Sequence, residues 1–322
     1  MSAGEGEVNG AASADTDEAT SGEETRLVWN PFLDEWTGFS PVRMRRRELT
    51  AECPFCADLT TGRVPPDALA WIRPNDFPAF QPPLGESHIL IYSPDHDRTF
   101  AELTVPEVVR VIGLWRQVYT QLASRYPAIM TWETSGEAIG QTQRHPHGQT
   151  YALSVVPDYL ARELRAVARA ESEGRACPFC AELRTEEHSS RVVFAGEGWV
   201  GFVPAYAHYP YQVRITPRRH IPTIDGIAGD GPETEELATD LLWLVRAYNR
   251  AFKAPMPYML AIHQHASPLF HVHLEMLPVG RAPGKLKFAA SSEMAWGFWM
   301  NDSLPEEKAA ELRALITAEG NL

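Results

Sequence analysis

The chain has 322 residues and a mass of 35.9 kDa, and 44% of its residues are apolar, enough to bury one large core or two ordinary ones. Its 29 Lys and Arg against 42 Asp and Glu give a formal charge of −13, which argues against binding nucleic acid or anionic lipid through bulk charge. Mean hydropathy is −0.26 and no apolar run reaches about 18 residues, so we expect a cytoplasmic protein without a membrane span.

Residues 1–25 form an acidic segment with seven Asp or Glu and no Lys or Arg. The rest of the segment is mainly Ala, Gly, Ser and Thr, which offer little apolar surface to offset the entropy of ordering, so we predict a disordered tail. The segment has no basic start and no apolar stretch, so we do not expect it to be a signal peptide. The remainder carries a charge near −6 (−13 plus 7), so any phosphate binding must rely on local cations.

The elements that follow the tail alternate between strands and one long helix. Short apolar runs at Trp71 and over 88–92 predict strands, and apolar residues at three- and four-residue spacing predict an amphipathic helix over 105–126. A strand over 128–131 and a His-x-His strand then complete this part of the chain.

The same order of elements returns later in the chain. After a predicted helical connection over 159–174 come strands at Trp199 and over 212–215, an amphipathic helix over 232–252, a strand over 258–262 and a second His-x-His pair. This order predicts an α+β fold with two similar halves, residues 26–165 and 166–322, each an antiparallel sheet with one long helix.

The spacing of cysteine and histidine residues gives stronger evidence for the repeat than the order of elements does. Each half has a Cys-Pro-Phe-Cys turn, a His 40 residues after its second Cys, and a His-x-His pair 49 or 51 residues further on. Two thiolates and two imidazoles form a Cys2His2 set, which suits tetrahedral zinc, and with four protein ligands such an ion has a structural role. We therefore predict two zinc sites per chain, formed by Cys53, Cys56, His96 and His145 and by Cys177, Cys180, His220 and His271.

The residue left over in the first His-x-His pair is His147. Because positions i and i+2 of a strand share a face, we expect His145, His147 and Gln149 to point the same way, with Gly148 allowing close approach to a ligand. An imidazole fixed beside a metal ligand, with an amide donor next to it, suits covalent attack on phosphorus. We therefore predict that His147 is the nucleophile and that Gln149 donates to a phosphoryl oxygen.

The string His-Pro-His-Gly-Gln at 145–149 resembles the nucleophile motif of the galactose-1-phosphate uridylyltransferase family, in the histidine triad superfamily. The resemblance extends from about Arg26 to Leu315. Further matching strings are Asn30-Pro31, Glu35-Trp36, Ser40-Pro41-Val42-Arg43, Asn75-Asp76-Phe77, Ser93-Pro94-Asp95-His96 and the loop from Gly140 to Gln149.

The resemblance implies a two-step exchange through a covalent nucleotidyl-histidine. His147 would attack a nucleoside-diphosphate hexose and release hexose 1-phosphate, and a second sugar phosphate would then take the nucleotide. It also implies a homodimer, in which a sugar-phosphate segment reaches across the interface. The implied substrate contacts are Arg43, Arg46 and Thr142 for phosphate, Asn75 and Asp76 for base and ribose, and Lys287, Phe288 and Glu293 for the hexose phosphate.

Several positions depart from the family pattern. Thr142-Gln143-Arg144 replaces the usual Ser-Asn-Pro, so Arg144 becomes a further candidate for phosphate contact, and Ser292 and Trp299 replace a Tyr and a Gln of the sugar segment. We favour UMP as the transferred group. An ADP-sugar phosphorylase or adenylyltransferase, a nucleotide-sugar hydrolase and a non-enzymatic zinc-binding protein remain as alternatives.

The second metal site also has two interpretations. Some uridylyltransferases bind iron in this half through one Glu and three His, and Glu163, His263, His271 and His273 could match that set. The repeat spacing favours the Cys-containing set, because thiolates select zinc.

Overall fold

The computed structural model describes residues 25–41, 43 and 53–320. The predicted disordered tail, apart from Thr25, and the predicted phosphate contact Arg46 lie outside the described residues. The described strands are β1 Arg26–Asn30, β2 Glu35–Phe39, β3 Trp71–Pro74, β4 Gly85–Ile91, β5 Ala128–Ser135, β6 His147–Leu153, β7 Val192–Ala195, β8 Trp199–Phe202, β9 Val213–Pro217, β10 Tyr258–His263, β11 His273–Pro278, β12 Gly280–Ala282 and β13 Lys285–Leu286. The helices are α1 Pro54–Thr60, α2 Val105–Leu122, α3 Asp158–Ser172, α4 Pro178–Glu186, α5 Pro232–Phe252, α6 Ser291–Trp296 and α7 Pro305–Gly320.

The two long predicted helices are confirmed as α2 and α5. Helix α2 begins after Thr104, which forms a capping box with Glu107, and each helix has a Pro in its first turn, where no N–H partner is needed. Helix α2 ends at Leu122, four residues before the predicted end at Tyr126. The apolar stripes of both helices are buried in one core that they share with α7.

One antiparallel sheet of nine strands contains both halves of the chain. Its order is β3-β4-β6-β5 from the first half and then β10-β11-β9-β8-β7 from the second. Strands β5 and β10 pair from Tyr258 with Ser135 to Ile262 with Thr131. The sequence predicted a sheet in each half. Pairing of β5 with β10 joins the two sheets and satisfies backbone groups that two open edges would leave exposed.

The two faces of this sheet have different roles. Cross-strand partners share a face, and the register places His147 beside Ile91 and Gln149 beside Ile89. These side chains lie on the face opposite α2, where Phe55 of α1 packs against Ile89 and Ile91. Both residues predicted to act on phosphorus therefore share one face of the sheet. Within the described ranges, no helix is long and apolar enough to cross a membrane.

Candidate active site and metal centres

The first Cys2His2 group, Cys53, Cys56, His96 and His145, comes together at the start of α1. Its four ligand atoms all lie within 4.8 Å of one another. The Nδ1 atom of His145 lies 3.7 Å from Sγ of Cys53 and 3.5 Å from Sγ of Cys56, and Nδ1 of His96 lies 3.6 Å from Sγ of Cys56. Three separate segments of the chain thus converge on one point.

This group fits a tetrahedral zinc ion. Zn–S and Zn–N bonds of about 2.3 and 2.0 Å at the tetrahedral angle place S and N about 3.5 Å apart, close to the distances found here. Burial, and then the neighbouring Cys53, raise the pKa of the Cys56 thiol to about 11, so a thiolate pair needs a cation. The Nε2 atom of His145 lies 2.7 Å from the carbonyl oxygen of Ser93, which can only accept, so the lone pair of His145 is on Nδ1 and faces the thiols.

The second Cys2His2 group, Cys177, Cys180, His220 and His271, repeats this arrangement at the start of α4. The Sγ atom of Cys180 lies 3.2 Å from Nδ1 of His220 and 3.3 Å from Nδ1 of His271. Burial, and then Cys177, raise the pKa of Cys180 to about 11. Here too a backbone carbonyl, that of Pro268, accepts from Nε2 of His220 at 2.7 Å. Both predicted ligand sets are therefore assembled.

A third group, which we call the Glu163 group, consists of Glu163, His263 and His273. Glu163 on α3 lies 3.0 Å from Nδ1 of His263 and 3.2 Å from Nε2 of His273. Burial alone would raise the pKa of Glu163, but His263 and His273 hold it well below its usual range. Three members of the alternative iron set are thus together, whereas the fourth, His271, lies with the cysteines of the second Cys2His2 group.

His147 is the first residue of β6, and its ring orientation is set by its own backbone. Its Nδ1 atom lies 2.8 Å from the carbonyl oxygen of His145 and must donate to it, so the lone pair of a neutral ring is on Nε2. The sequence placed His145 in the same strand, but the strand begins only at His147. Pro146 has no N–H for the ladder, and its carbonyl accepts from the N–H of Tyr92 at 3.0 Å.

Gly148 is required by packing on the helix side of the sheet. A Cβ atom at this position would overlap the Tyr92 hydroxyl, which accepts a hydrogen bond from Nε1 of Trp115 at 3.3 Å. From the sequence, we expected Gly148 to allow close approach of a ligand. The contact is instead internal, because side chains alternate along β6 and position 148 faces away from His147 and Gln149.

Two aromatic side chains near His147 were not predicted from the sequence. The Phe55 ring lies 5.1 Å from that of His147, and Tyr151 is on the His147 face of β6, where its ring is 4.6 Å from Trp132. The Arg43 side chain donates to the Tyr151 hydroxyl, which brings this predicted phosphate contact to the strand of His147. Alternation along β6 could have identified Tyr151, four residues after His147.

The predicted nucleoside and phosphate contacts lie in loops around this face. Asn75 follows β3 and accepts from the Phe77 N–H at 2.9 Å, and Asp76 pairs with Arg73. In the loop before β6, which also contains Thr142, Arg144 is exposed and forms an ion pair with Glu137 at 2.7 Å.

The predicted sugar segment lies after β13. Lys287 is buried, donates to the Met300 carbonyl and lies 3.9 Å from Glu293, which caps the short helix α6. Phe288 is 63% exposed. Lys287 and Glu293 are thus brought together by contacts within their own segment.

The nine-stranded sheet carries a His-x-His pair in each half, and comparison with known proteins places the chain among the uridylyltransferases. Residues 70–157 match the family model of the N-terminal domain of galactose-1-phosphate uridyl transferase, and residues 158–318 match that of the C-terminal domain. The chain therefore belongs to the galactose-1-phosphate uridyl transferase family, as the resemblance indicated.

Individual relatives agree over most of the chain. It is 29% identical over 313 residues to the galactose-1-phosphate uridylyltransferase of Thermotoga maritima, covering 89% of this chain and 97% of the relative. A solved uridylyltransferase superposes with a TM-score of 0.82 at 26% identity, covering 91% and 98% of the two chains. The ADP-glucose phosphorylase of Arabidopsis thaliana shares the fold, with a TM-score of 0.71 at 22% identity and coverage of 90% and 99%.

Proposed function

We propose that this enzyme exchanges a nucleoside monophosphate, in the first place UMP, between a nucleoside-diphosphate hexose and a hexose 1-phosphate through a covalent nucleotidyl group on His147. The observation that carries the proposal is the hydrogen bond from Nδ1 of His147 to the His145 carbonyl, which directs the lone pair of Nε2 away from its own backbone. Family membership supports nucleotidyl transfer as the reaction class.

The chemistry uses a neutral imidazole. Nε2 of His147 attacks the α-phosphorus of the donor, the bond from that phosphorus to the bridging oxygen breaks, and hexose 1-phosphate leaves with the electron pair. In the second step a phosphate oxygen of the acceptor attacks the same phosphorus and the P–N bond breaks, returning its electrons to Nε2. The proton stays on Nδ1 throughout, and its hydrogen bond to the His145 carbonyl stabilises the cationic ring of the intermediate.

The remaining predicted residues bind the substrates. The Gln149 amide donates to a non-bridging oxygen of the α-phosphate, and the charge of the phosphates is offset by nearby cations. In this proposal the phosphate contacts are Arg43, Arg46, Thr142 and Arg144, the nucleoside contacts are Asn75 and Asp76, and the hexose-phosphate contacts, contributed across a homodimer interface, are Lys287, Phe288 and Glu293.

Each Cys2His2 group holds one zinc ion in this proposal. Cys53, Cys56, His96 and His145 would hold the first ion, which would fix His145 and thereby the carbonyl that orients His147. Iron bound through the Glu163 group would need His271 as its fourth ligand, but His271 lies 3.3 Å from the Cys180 thiol, so we favour zinc in the second site as well.

A related reaction with a different acceptor is the second candidate. Trp299, which replaces a Gln of the family pattern, stacks on His208 with ring centroids 4.3 Å apart. An indole in this position cannot accept a hydrogen bond from a sugar hydroxyl as an amide can. This favours an acceptor other than a hexose 1-phosphate, and ADP-sugar phosphorolysis, with inorganic phosphate as the acceptor, is such a reaction.

Intact-protein mass spectrometry tests the proposal and its alternative together. The purified protein is mixed with UDP-glucose or ADP-glucose without acceptor, at neutral pH to preserve the P–N bond. We expect the gain of one nucleoside monophosphate, absent in His147→Ala protein with unchanged zinc content. Release by glucose 1-phosphate, galactose 1-phosphate or inorganic phosphate then identifies the acceptor. No adduct with either donor in fully zinc-loaded protein would refute the covalent mechanism.

A further inference from the structure

A buried arginine next to the proposed nucleoside site holds two carboxylates at once. Arg73 and Asp58 have side chains only 2% exposed, and Nη1 of Arg73 lies 3.0 and 3.1 Å from the two carboxylate oxygens of Asp58. The other terminal nitrogen, Nη2, lies 2.6 Å from both oxygens of Asp76, whose side chain is 50% exposed. The guanidinium therefore links a fully buried acid to one that faces solvent.

Backbone carbonyls accept from the remaining N–H groups of the same guanidinium. Nη1 also donates to the Pro54 carbonyl at 3.1 Å and Nε to the Pro74 carbonyl at 3.4 Å. Trp71 donates to Asp58 through Nε1 at 3.1 Å, so the buried carboxylate is satisfied as well. Because Nε, Nη1 and Nη2 of the planar Arg73 guanidinium all have acceptors, the group is held in one orientation. A lysine ammonium could not reproduce these contacts.

The contacts of Arg73 connect the proposed nucleoside site to the His147 face of the sheet. Pro54 lies in the turn that carries the cysteines of the first Cys2His2 group, and the Arg73 guanidinium lies over the Phe55 ring, 5.8 Å from its centroid. The Phe55 ring also contacts His145 and His147, with ring centroids at 5.6 and 5.1 Å.

The sheet register sets the distance between the two sites. Arg73 pairs with Ile89 and Ile89 with Gln149, so Arg73 and Gln149 are in the same row and on the same face, two strands apart. Two inter-strand spacings amount to about 10 Å, the scale of a nucleoside monophosphate laid across the strands. A phosphate at Gln149 thus leaves the ribose within reach of Asp76.

We propose that Arg73 is the positioning residue for ribose recognition: it holds the Asp76 carboxylate in the orientation that accepts both hydroxyls of a ribose diol. An ionised carboxylate has about four lone-pair directions, and Arg73 occupies only those on the buried side of Asp76. The exposed side is left to accept two O–H donors. This inference deepens the proposed function and rests on it, because it assumes that a nucleotide sugar binds on the His147 face.

A neighbouring arginine provides a matched control. Arg63 lies 3.2 Å from Asp58 and 3.8 Å from Asp76, but its side chain is 55% exposed and it makes one contact with each acid. It therefore contributes charge near the same carboxylates without fixing their geometry. If only local charge mattered, Arg63 and Arg73 variants would behave alike.

The test measures discrimination between ribose and 2′-deoxyribose. The donor is whichever of UDP-glucose and ADP-glucose labels wild-type protein, together with its 2′-deoxy analogue, and the readout is kcat/KM of the nucleotidylation step. The variants are Asp76→Asn, Arg63→Met, and Arg73→Met combined with Asp58→Asn, which leaves no unpaired buried carboxylate. Wild-type protein should prefer the ribose donor by about 10- to 100-fold, because hydrogen bonds to charged groups are among the stronger ones.

The expected results distinguish a positioning role of Arg73 from a general effect on protein stability. The Arg73→Met/Asp58→Asn and Asp76→Asn proteins should lower this preference to within about threefold, mainly through KM for the ribose donor, while Arg63→Met retains it. A merely structural role would reduce the rate with both donors and leave the ratio unchanged, which would overturn the inference. Should the Arg73 protein fail to fold, a preference retained by Asp76→Asn would also overturn it. Absence of labelling in wild-type protein would instead refute the proposed function.

Discussion

His147 and His273 occupy the same position in the two halves of the molecule, and they are held in the same way. Each is the first residue of its strand, and each donates from Nδ1 to the carbonyl two residues earlier, at 2.8 Å in the first half and 3.0 Å in the second. The two rings differ in what lies beyond them. In the second half Glu163 lies 3.2 Å from Nε2 of His273, the atom equivalent to the proposed nucleophile.

The next position on each strand shows a second difference. Gln149 can donate to a phosphoryl oxygen, but its equivalent Glu275 can only accept, and Arg214 and Gln212 bind its two oxygens at 2.6 and 2.9 Å. Glu163 and Glu275 thus place two hydrogen-bond acceptors around His273, whereas Gln149 places a donor beside His147. Under the proposed function, the duplicated backbone therefore supports nucleotidyl transfer at His147, where an amide donor is available to a phosphoryl oxygen.

The largest expected effect separates the two histidines. His147→Ala should reduce nucleotidyl transfer by about 10⁴-fold or more, because the nucleophile itself is lost. His273→Ala should still take up one nucleotide per chain, with a lower unfolding temperature from loss of the Glu163 contact. Single-turnover labelling of folded protein measures both. If His147→Ala and His273→Ala both had native zinc content and lost labelling to the same extent, the assigned roles would be wrong.

Gln149→Glu gives the first half the carboxylate of the second. We expect nucleotidylation to slow by about 10²- to 10³-fold, since a donor to the developing charge becomes a repelling acceptor. Glu275→Gln is the matched change in the other half and should alter the rate by less than about threefold. Stopped single-turnover reactions with the labelling donor give both rates, and a Gln149→Glu protein as fast as wild type would show that this side chain does not contact phosphate.

The two Cys2His2 groups should differ in their effect on the reaction. Cys56→Ser removes a ligand from the group that orients His145 and should lower kcat about 10- to 100-fold along with the zinc content. Cys180→Ser should lose a comparable amount of zinc while labelling at nearly the wild-type rate. Elemental analysis and single-turnover kinetics of the two proteins provide the comparison, and similar rates in both would place the first zinc ion outside the catalytic arrangement.

The smallest effect concerns Glu133, a buried carboxyl group on β5 next to β6. Glu133 pairs with Gly148 across β5 and β6, where the second half has Ile262 and Leu274. Burial raises the pKa of Glu133 to about 8, although the Tyr258 hydroxyl donates to it. The folded state therefore keeps a proton that the unfolded state releases above its ordinary pKa of 4.5.

The free energy of unfolding should consequently fall as pH rises from about 5 to 8, with at most about 1.4 kcal/mol per pH unit from this group. Glu133→Gln should flatten the dependence, whereas Glu137→Gln, an exposed control on the same segment, should not. Urea unfolding at four pH values between 5.5 and 8.5 measures the slope. An unchanged slope in Glu133→Gln would mean that Glu133 is ionised in the folded protein.

Local spacing was enough to predict the ligand sets and the long helices. The two Cys2His2 groups follow from a repeated turn and repeated distances along the chain, and α2 and α5 follow from apolar periodicity with Pro in the first turn. The pairing of β5 with β10 could not be predicted in this way, because either strand has the pattern of an edge strand when its half is considered alone.

The sequence by itself determined that the chain has two similar halves, that each assembles two thiols and two imidazoles, and that one His-x-His pair is followed by a glutamine and the other by a glutamate. Only the tertiary structure decided that Glu163 binds His273, that Tyr92 requires Gly148, and that Arg73 joins Asp58 to Asp76. The physical reason is that ligand spacing and helical periodicity depend on the order of residues along the chain. The charge and packing around each histidine depend instead on side chains that the fold brings from other strands and helices.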